Sequence, residues 1–312
     1  MGSKRKGSAL LTVLWLTAAL AAIGLAVANN VRGETERAAT NVEDAKSYFI
    51  AKGAIERTLL RMFWGPVYYK FGQPAMDFVF PGAEAHVKIV PETSKLSLNG
   101  ARPEELARLL TALGQPEDRA LEITAAIIDW RTPIAPDRES PFDSFYLAQS
   151  PSFLPRHASF LENEELLRVK GVTSDLYYGT SLDGSRAGLR DCLSAYVSGG
   201  GIDINTAKVE TMIAVGIAAQ DATTIANSRA VHPVLDFREL GAIQQSLGPA
   251  GAHLRMGGDS MYTIRATARL RQPDGRLSDM RRSVAALVKL WYPGNTQNKT
   301  PGAEVVRWYD RP

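Results

Sequence analysis

Residues 4–28 read KRKGSALLTVLWLTAALAAIGLAVA, and this stretch decides what kind of chain follows. The 20 residues from Ala9 to Ala28 carry no charge. At about 1.5 Å of rise per residue, a helix of that length crosses the roughly 30 Å of a bilayer's hydrocarbon. Thr12 and Thr17 do not break the span, because a hydroxyl can bond back to the helix carbonyls. Lys4, Arg5 and Lys6 stand in front of it and stay cytoplasmic under the positive-inside rule. Everything after Val31 is then sent across the membrane. One reading is a cleaved secretory signal, with Ala26-Val27-Ala28 as its small-residue cleavage site.

A second reading keeps the helix. A short basic leader that ends in Gly7 and continues Ser8-Ala9-Leu10-Leu11 has the form of a type IV prepilin leader, cut on the cytoplasmic face. The downstream residues separate the two readings. Val42, Ala45, Phe49, Ile55, Leu59 and Met62 fall near three- and four-residue steps, with charged residues over much of the remaining surface. No proline occurs from Met1 to Trp64. Gly24, Gly33 and Gly53 weaken a helix locally without ending it. The pattern predicts one helix over residues 8–63, with the membrane segment at 9–28, about 80 Å long. Its first half is apolar all round and its second half amphipathic. A cleaved signal needs no such continuity.

Trp64-Gly65-Pro66 stops the helix. Asp77–Phe80 and Ala85–Val90 read as strands around Pro81-Gly82, and Lys95–Leu98 as a third. Helical spacing then takes over. Predicted helices are Pro103–Leu113 closed by Gly114, Glu117–Trp130, Glu162–Lys170 closed by Gly171, and Ser185–Tyr196. Lys208–Ala214, Asp221–Ser228 and Asp236–Ser246 follow. Thr132–His157, rich in proline, is a loop. Met261–Leu270 and Ser278–Trp291 alternate about Pro273-Asp274-Gly275 and predict a β-hairpin. Residues 293–312 are polar and rich in Pro and Gly, the composition of a flexible tail. Strands first and last, with helices between, predict an α+β fold. Residues 64–98 and 259–292 form the α+β domain, and residues 99–258 a helical domain inserted into it. The insert holds a weak repeat. Leu96–Leu106 matches Ile202–Met212, with Asn99 and Asn205 as N-cap or Asx-turn residues.

Charge and motifs exclude several classes. Lys plus Arg number 36 and Asp plus Glu 33, and three of the cations are Lys4, Arg5 and Lys6. The rest of the chain is balanced, so nucleic acid is not an expected partner. A single cysteine, Cys192, excludes an intramolecular disulfide framework and reads as a small core residue. The histidines are scattered, and no HExxH, GxSxG or P-loop occurs. No catalytic constellation emerges. Leu113-Gly114-Gln115 and Val215-Gly216-Ile217 have the form of helix-hairpin-helix turns, whose backbone N–H groups meet phosphates in DNA-binding modules. That gives an alternative, a membrane-anchored DNA-binding or uptake protein, but no basic cluster surrounds either turn. The loop from Asp129 to Asp143 collects carboxylates, the oxygen donors calcium prefers, yet it also holds Arg131 and Arg138. Solvated loop charges fit the same residues.

With these features in view, the chain resembles the minor pseudopilin K family of type II secretion systems over nearly its whole length. The resemblance rests on Arg5–Leu11, Ser94–Asn99, Ile127–Trp130, Glu164–Gly171 and Ile202–Ala207, in that order and spacing. It implies a pseudopilin fold, a long N-terminal helix packed on a small antiparallel sheet, with a large inserted all-α domain. It implies cleavage between Gly7 and Ser8 by the prepilin peptidase, with N-methylation of Ser8 and loss of a 1–7 leader. It implies a single-pass protein of the bacterial inner membrane with its globular part in the periplasm. Its partners there are the I and J pseudopilins, with H beside them, in a complex at the pseudopilus tip. The implied role is structural, not enzymatic. Most pilins carry Glu at the fifth residue after the cut. Here that position is Thr12, and K pseudopilins typically lack the Glu. Some members bind calcium in an acidic loop after the Asp-Trp element. This chain keeps Asp129-Trp130 but has Thr132–Pro136 where the acidic cluster sits. Asp137, Glu139 and Asp143 are left as candidate calcium ligands.

Overall fold

The computed structural model describes residues 6–135, 139–179, 186–197, 200–291 and 300–310, with side chains from Leu10 onward. Helix α1 spans Lys6–Phe63 without a break. Its apolar first half is uncovered, with Leu14 65% and Trp15 73% exposed. Among the described residues its side chains become buried only from Ser47. Ser47, Ala51, Ala54, Ile55, Thr58 and Met62 are buried there, a stripe at three- and four-residue steps. Val42, Ala45 and Phe49, expected on that stripe, face outward instead. The sheet takes small residues from this part of the helix, which bring the two backbones close. Thr58 satisfies its buried hydroxyl by donating from Oγ1 to the Ala54 carbonyl at 2.8 Å.

Strands β1 (Ala75–Phe80) and β2 (Ala83–Pro91) form an antiparallel hairpin with alternating burial. The chain then leaves the sheet through a short 3-10 turn, Glu92–Ser94.

The insert begins with β3 (Leu96–Ser97), α2 (Pro103–Ala112) and α3 (Glu117–Arg131). One helical turn, α4 (Asp143–Leu147), interrupts the proline-rich loop. Then come α5 (Ser174–Tyr178), α6 (Leu189–Cys192), β4 (Leu193–Ser194) and β5 (Ile202–Asp203). Helices α7 (Val209–Ala214), α8 (Ala219–Val231) and α9 (Phe237–Ser246) follow, and β6 (Leu254–Arg255) closes the insert. Three expectations are corrected here. The strand read at Lys95–Leu98 does not join β2. It is β3, which pairs in parallel with β4 inside the insert. Glu162–Lys170 is a 3-10 turn over Asn163–Arg168. The helix read at Ser185–Tyr196 shortens to α6, because Leu193 and Ser194 are drawn into pairing with β3. Gly188 just before α6 is obligatory, since a Cβ there would meet the Tyr177 carbonyl oxygen at 2.3 Å. Leu106, Leu109, Ile123, Ile127, Trp130 and Leu166 anchor a core that belongs to the insert.

The chain returns to the sheet as β7 (Met261–Leu270), antiparallel to β2, and turns into β8 (Arg282–Trp291). Residues 293–312, expected as a flexible tail, supply a further strand, β9 (Gly302–Tyr309), antiparallel to β8. The five-stranded sheet runs β1-β2-β7-β8-β9. Its inner face packs on α1 as a second core of Phe78, Val87, Ile89, Tyr262, Ile264 and Val288 with their neighbours.

Candidate functional site

The first candidate surface is the uncovered part of α1. The helix is long and apolar enough to cross a membrane. Gly7 and Ser8 lie in its first turns, and Thr12 is exposed one turn further on. Thr17 returns its hydroxyl to the Leu14 carbonyl at 2.9 Å, the device that lets a threonine sit in an apolar helix. The ion pairs Arg32–Glu36 and Arg37–Glu34 mark the point where the polar surface begins.

The second feature is the root of the insert, where buried polar groups lock it to the sheet. Glu92 is 1% exposed. It accepts from Lys95 Nζ at 3.2 Å and from Thr263 Oγ1 of β7 at 2.6 Å. Burial pushes its carboxyl up, but Lys95, Ser194 and Thr263 outweigh that and hold it below its ordinary range. Asp203 accepts from the Gly257 N–H at 2.7 Å and from Thr206. Burial is the stronger influence at Asp203 and raises its carboxyl. Asn205 donates from one amide nitrogen to the carbonyls of Gly72 and Val234. The insert is thus tied both to the loop after α1 and to the entry of β7.

The sequence repeat is a structural one. Asn99 exchanges hydrogen bonds with the backbone of Phe160, and Asn205 does the same with Val234. Arg131, at the end of α3, donates to the carbonyls of Leu98 and Ala101 at 2.6 and 2.5 Å. Arg229, near the end of α8, donates to those of Ile204 and Ala207. Each unit is a short strand, an Asn turn and a helical hairpin, pinned by one arginine fork. The forks escaped the sequence reading, which counted Arg131 only among the loop charges; an arginine near the end of each second helix was the available signal. The hairpin glycine Gly114 sits under Arg186, which donates to the Leu113 carbonyl at 3.0 Å. That turn is therefore no open phosphate cradle.

The carboxylate loop is organised around histidine. His157 Nε2 lies 3.1 Å from Asp143 Oδ1, and Nδ1 lies 3.2 Å from the Asp129 carbonyl oxygen. Ser140 donates from Oγ to Asp129 Oδ1 at 2.7 Å and from its backbone N–H to Asp143 Oδ2 at 3.0 Å. Glu139 is exposed, and Asp137 lies outside the described residues. Among the described residues, no group of three or more His, Cys, Asp or Glu side chains could hold a metal ion. Cys192 is fully buried, and burial pushes its thiol up to about 12, so it is a packing residue rather than a nucleophile.

Comparison with known proteins agrees with this architecture. Residues 91–179 match the family model described as type II secretion system (T2SS), protein K. Type II secretion system protein K of Klebsiella pneumoniae is 26% identical over 202 residues, and that of Pectobacterium carotovorum subsp. carotovorum 26% over 204. Each match covers 57% of this chain and 61% of the relative, so the chain spans under two thirds of the relatives it matches. A chain in the crystal structure of the GspK-GspI-GspJ complex from the enterotoxigenic Escherichia coli type 2 secretion system has the same fold. The TM-score is 0.54 at 16% identity, covering 88% of this chain and 98% of that one. None of these relatives supports the DNA-uptake alternative. The matched segment and the named relatives liken this chain to type II secretion system protein K, and the solved chain shares its fold.

Proposed function

We propose that the chain is a minor pseudopilin that works at the tip of the type II secretion pseudopilus, in complex with the I and J pseudopilins and next to H. One observation carries the reading: an uncovered apolar helix and an insert matched by the protein K family model are joined in a single chain. The helix anchors the protein in the inner membrane before assembly and enters the filament core afterwards. The sheet and insert then stand in the periplasm. The prepilin peptidase cuts between Gly7 and Ser8 and methylates the new Ser8 terminus. Thr12 suits a terminal place in the filament. A carboxylate at that position would be buried in the apolar core and would need a neighbour's amine to neutralise it. Thr12 makes no such demand. The bulk of the insert keeps a further subunit from stacking above. The role is structural, and no reaction is assigned to the chain.

The deciding experiment is the N-terminal mass of the full chain after expression with and without a prepilin peptidase. The expected product starts at a methylated Ser8 only when the peptidase is present. A product starting near Asn29 in both hosts would remove the anchor and defeat the reading. Co-purification with the I and J pseudopilins then tests assembly.

A further inference from the structure

The two repeat units differ in one respect. Residues 132–159 separate Arg131 from Phe160 in the first unit, whereas only residues 230–233 separate Arg229 from Val234 in the second. The proline-rich loop is therefore an excursion added to a common frame, and it needs closing at its base. The Ala158 N–H donates to the Trp130 carbonyl at 3.1 Å, and the His157 ring sits directly beside that bond. The ring is 10% exposed, with Asp143 Oδ1 at 3.1 Å and Asp129 Oδ2 at 3.9 Å. His157 takes a φ of +46°, a left-handed conformation that is costly for any residue but glycine. Such a conformation persists where its surroundings over-determine it, and here contacts to both aspartates do so. Trp130, which follows Asp129, stacks on Phe160 at 5.9 Å and meets Tyr146 and Phe153 edge-on.

We propose that His157 replaces the metal ion at this loop: its imidazole, and not calcium, joins the Asp129 backbone carbonyl to the Asp143 carboxyl, beside the Asp129 carboxyl, and closes the excursion. A cation that reached both carboxyls would have to displace a ring that already faces both. Calcium takes six to eight oxygens. Here Asp129 Oδ1 and Asp143 Oδ2 are already taken by Ser140, and Asp143 Oδ1 by the ring. Asp129 Oδ2 is buried without a hydrogen bond, and one oxygen is not a calcium shell. Arg131, which follows Asp129-Trp130, is engaged with carbonyls on the other side.

The test uses the full chain in detergent. Its melting temperature is measured in millimolar calcium chloride and in EGTA, and cleavage within residues 132–157 is followed by limited proteolysis and mass spectrometry. The wild type is expected to melt at the same temperature in both buffers. His157→Ala is expected to melt roughly 3–6 °C lower and to be cut faster within the loop. A calcium-dependent rise in the wild type that Asp143→Asn removes would overturn the proposal, and this arm decides even where a histidine variant fails to fold. Unchanged cleavage in a folded His157→Ala would overturn it as well.

Discussion

Arg131 and Arg229 each set one guanidinium fork on two carbonyls of the turn that opens their repeat unit. Truncation strands two carbonyls in a partly buried place, at a cost of about 2–3 kcal/mol. Arg131→Ala and Arg229→Ala should therefore lower the urea midpoint by similar amounts. Lysine should restore less than half of the loss, because an ammonium cannot form the fork. Equal stability of the alanine variants and the wild type would show that the forks are idle. Glu92 makes a prediction about acid. Its carboxyl is held below the ordinary value of 4.5 in the folded state, against the upward push of burial. A carboxyl lowered by folding stabilises the protein above its unfolded pKa, and that contribution disappears as pH falls through the folded pKa. Glu92→Gln should be less stable than wild type at pH 7, with Lys95 left short of its partner. The gap between the two melting curves should narrow as pH falls below 4.5 through the folded pKa. A gap that does not change as pH falls below 4.5 would assign the effect to packing instead.

At the scale of elements, β9 links three parts of the molecule. It pairs with β8, sets Trp308 under Lys52 of α1 at 5.1 Å, and carries Arg307, whose Nη1 lies 3.2 Å from Glu162 Oε2 in the insert. Ending the chain at residue 299 should lower the melting temperature and speed proteolysis around Glu162–Arg168. Arg307→Ala should speed that proteolysis while leaving the sheet's melting little changed, because a half-exposed ion pair is worth about 1 kcal/mol or less. No change in either variant would mean that β9 is an ornament on the sheet. This strand was hidden in the sequence for a physical reason. A bulge falls between Val305 and Arg307, so Ala303 and Val305 face the core on one step and Trp308 on another, and strict alternation is lost. Strands β3 to β6, two residues each, are too short to carry a period. The long helix and the β7–β8 hairpin were legible because their periods persist over many residues. The inner stripe of α1 was only half legible, because periodicity weighs large residues such as Phe49 while the sheet selects Ser47, Ala51 and Ala54. The repeat was legible through Asn99 and Asn205. The meeting of His157 with Asp129 and Asp143 was not, since no spacing rule joins residues that only the excursion brings together.

At the scale of the whole molecule, the insert departs after Pro91 and returns before Met261, and Pro91 and Tyr262 are register partners in neighbouring strands. The two cores are separate, so their formation can be timed apart. Variants that keep only Trp130, or only Trp308, among the tryptophans report the insert and the edge of the sheet respectively. After dilution from denaturant, Trp130 burial should precede Trp308 burial, because insert contacts are more local. Simultaneous recovery would argue for one cooperative unit. The reason lies in the chain entropy of joining β2 to β7. An unfolded intervening segment makes that closure costly, while a folded one shortens it to the small gap between its own ends. During synthesis the β1–β2 hairpin emerges well ahead of β7. Until the insert has folded and brought β7 alongside, the Val87 and Ile89 edge stands unpaired, a ready template for another chain. The nested arrangement thus makes the early life of the protein, rather than its finished state, the time when it most needs protection from itself.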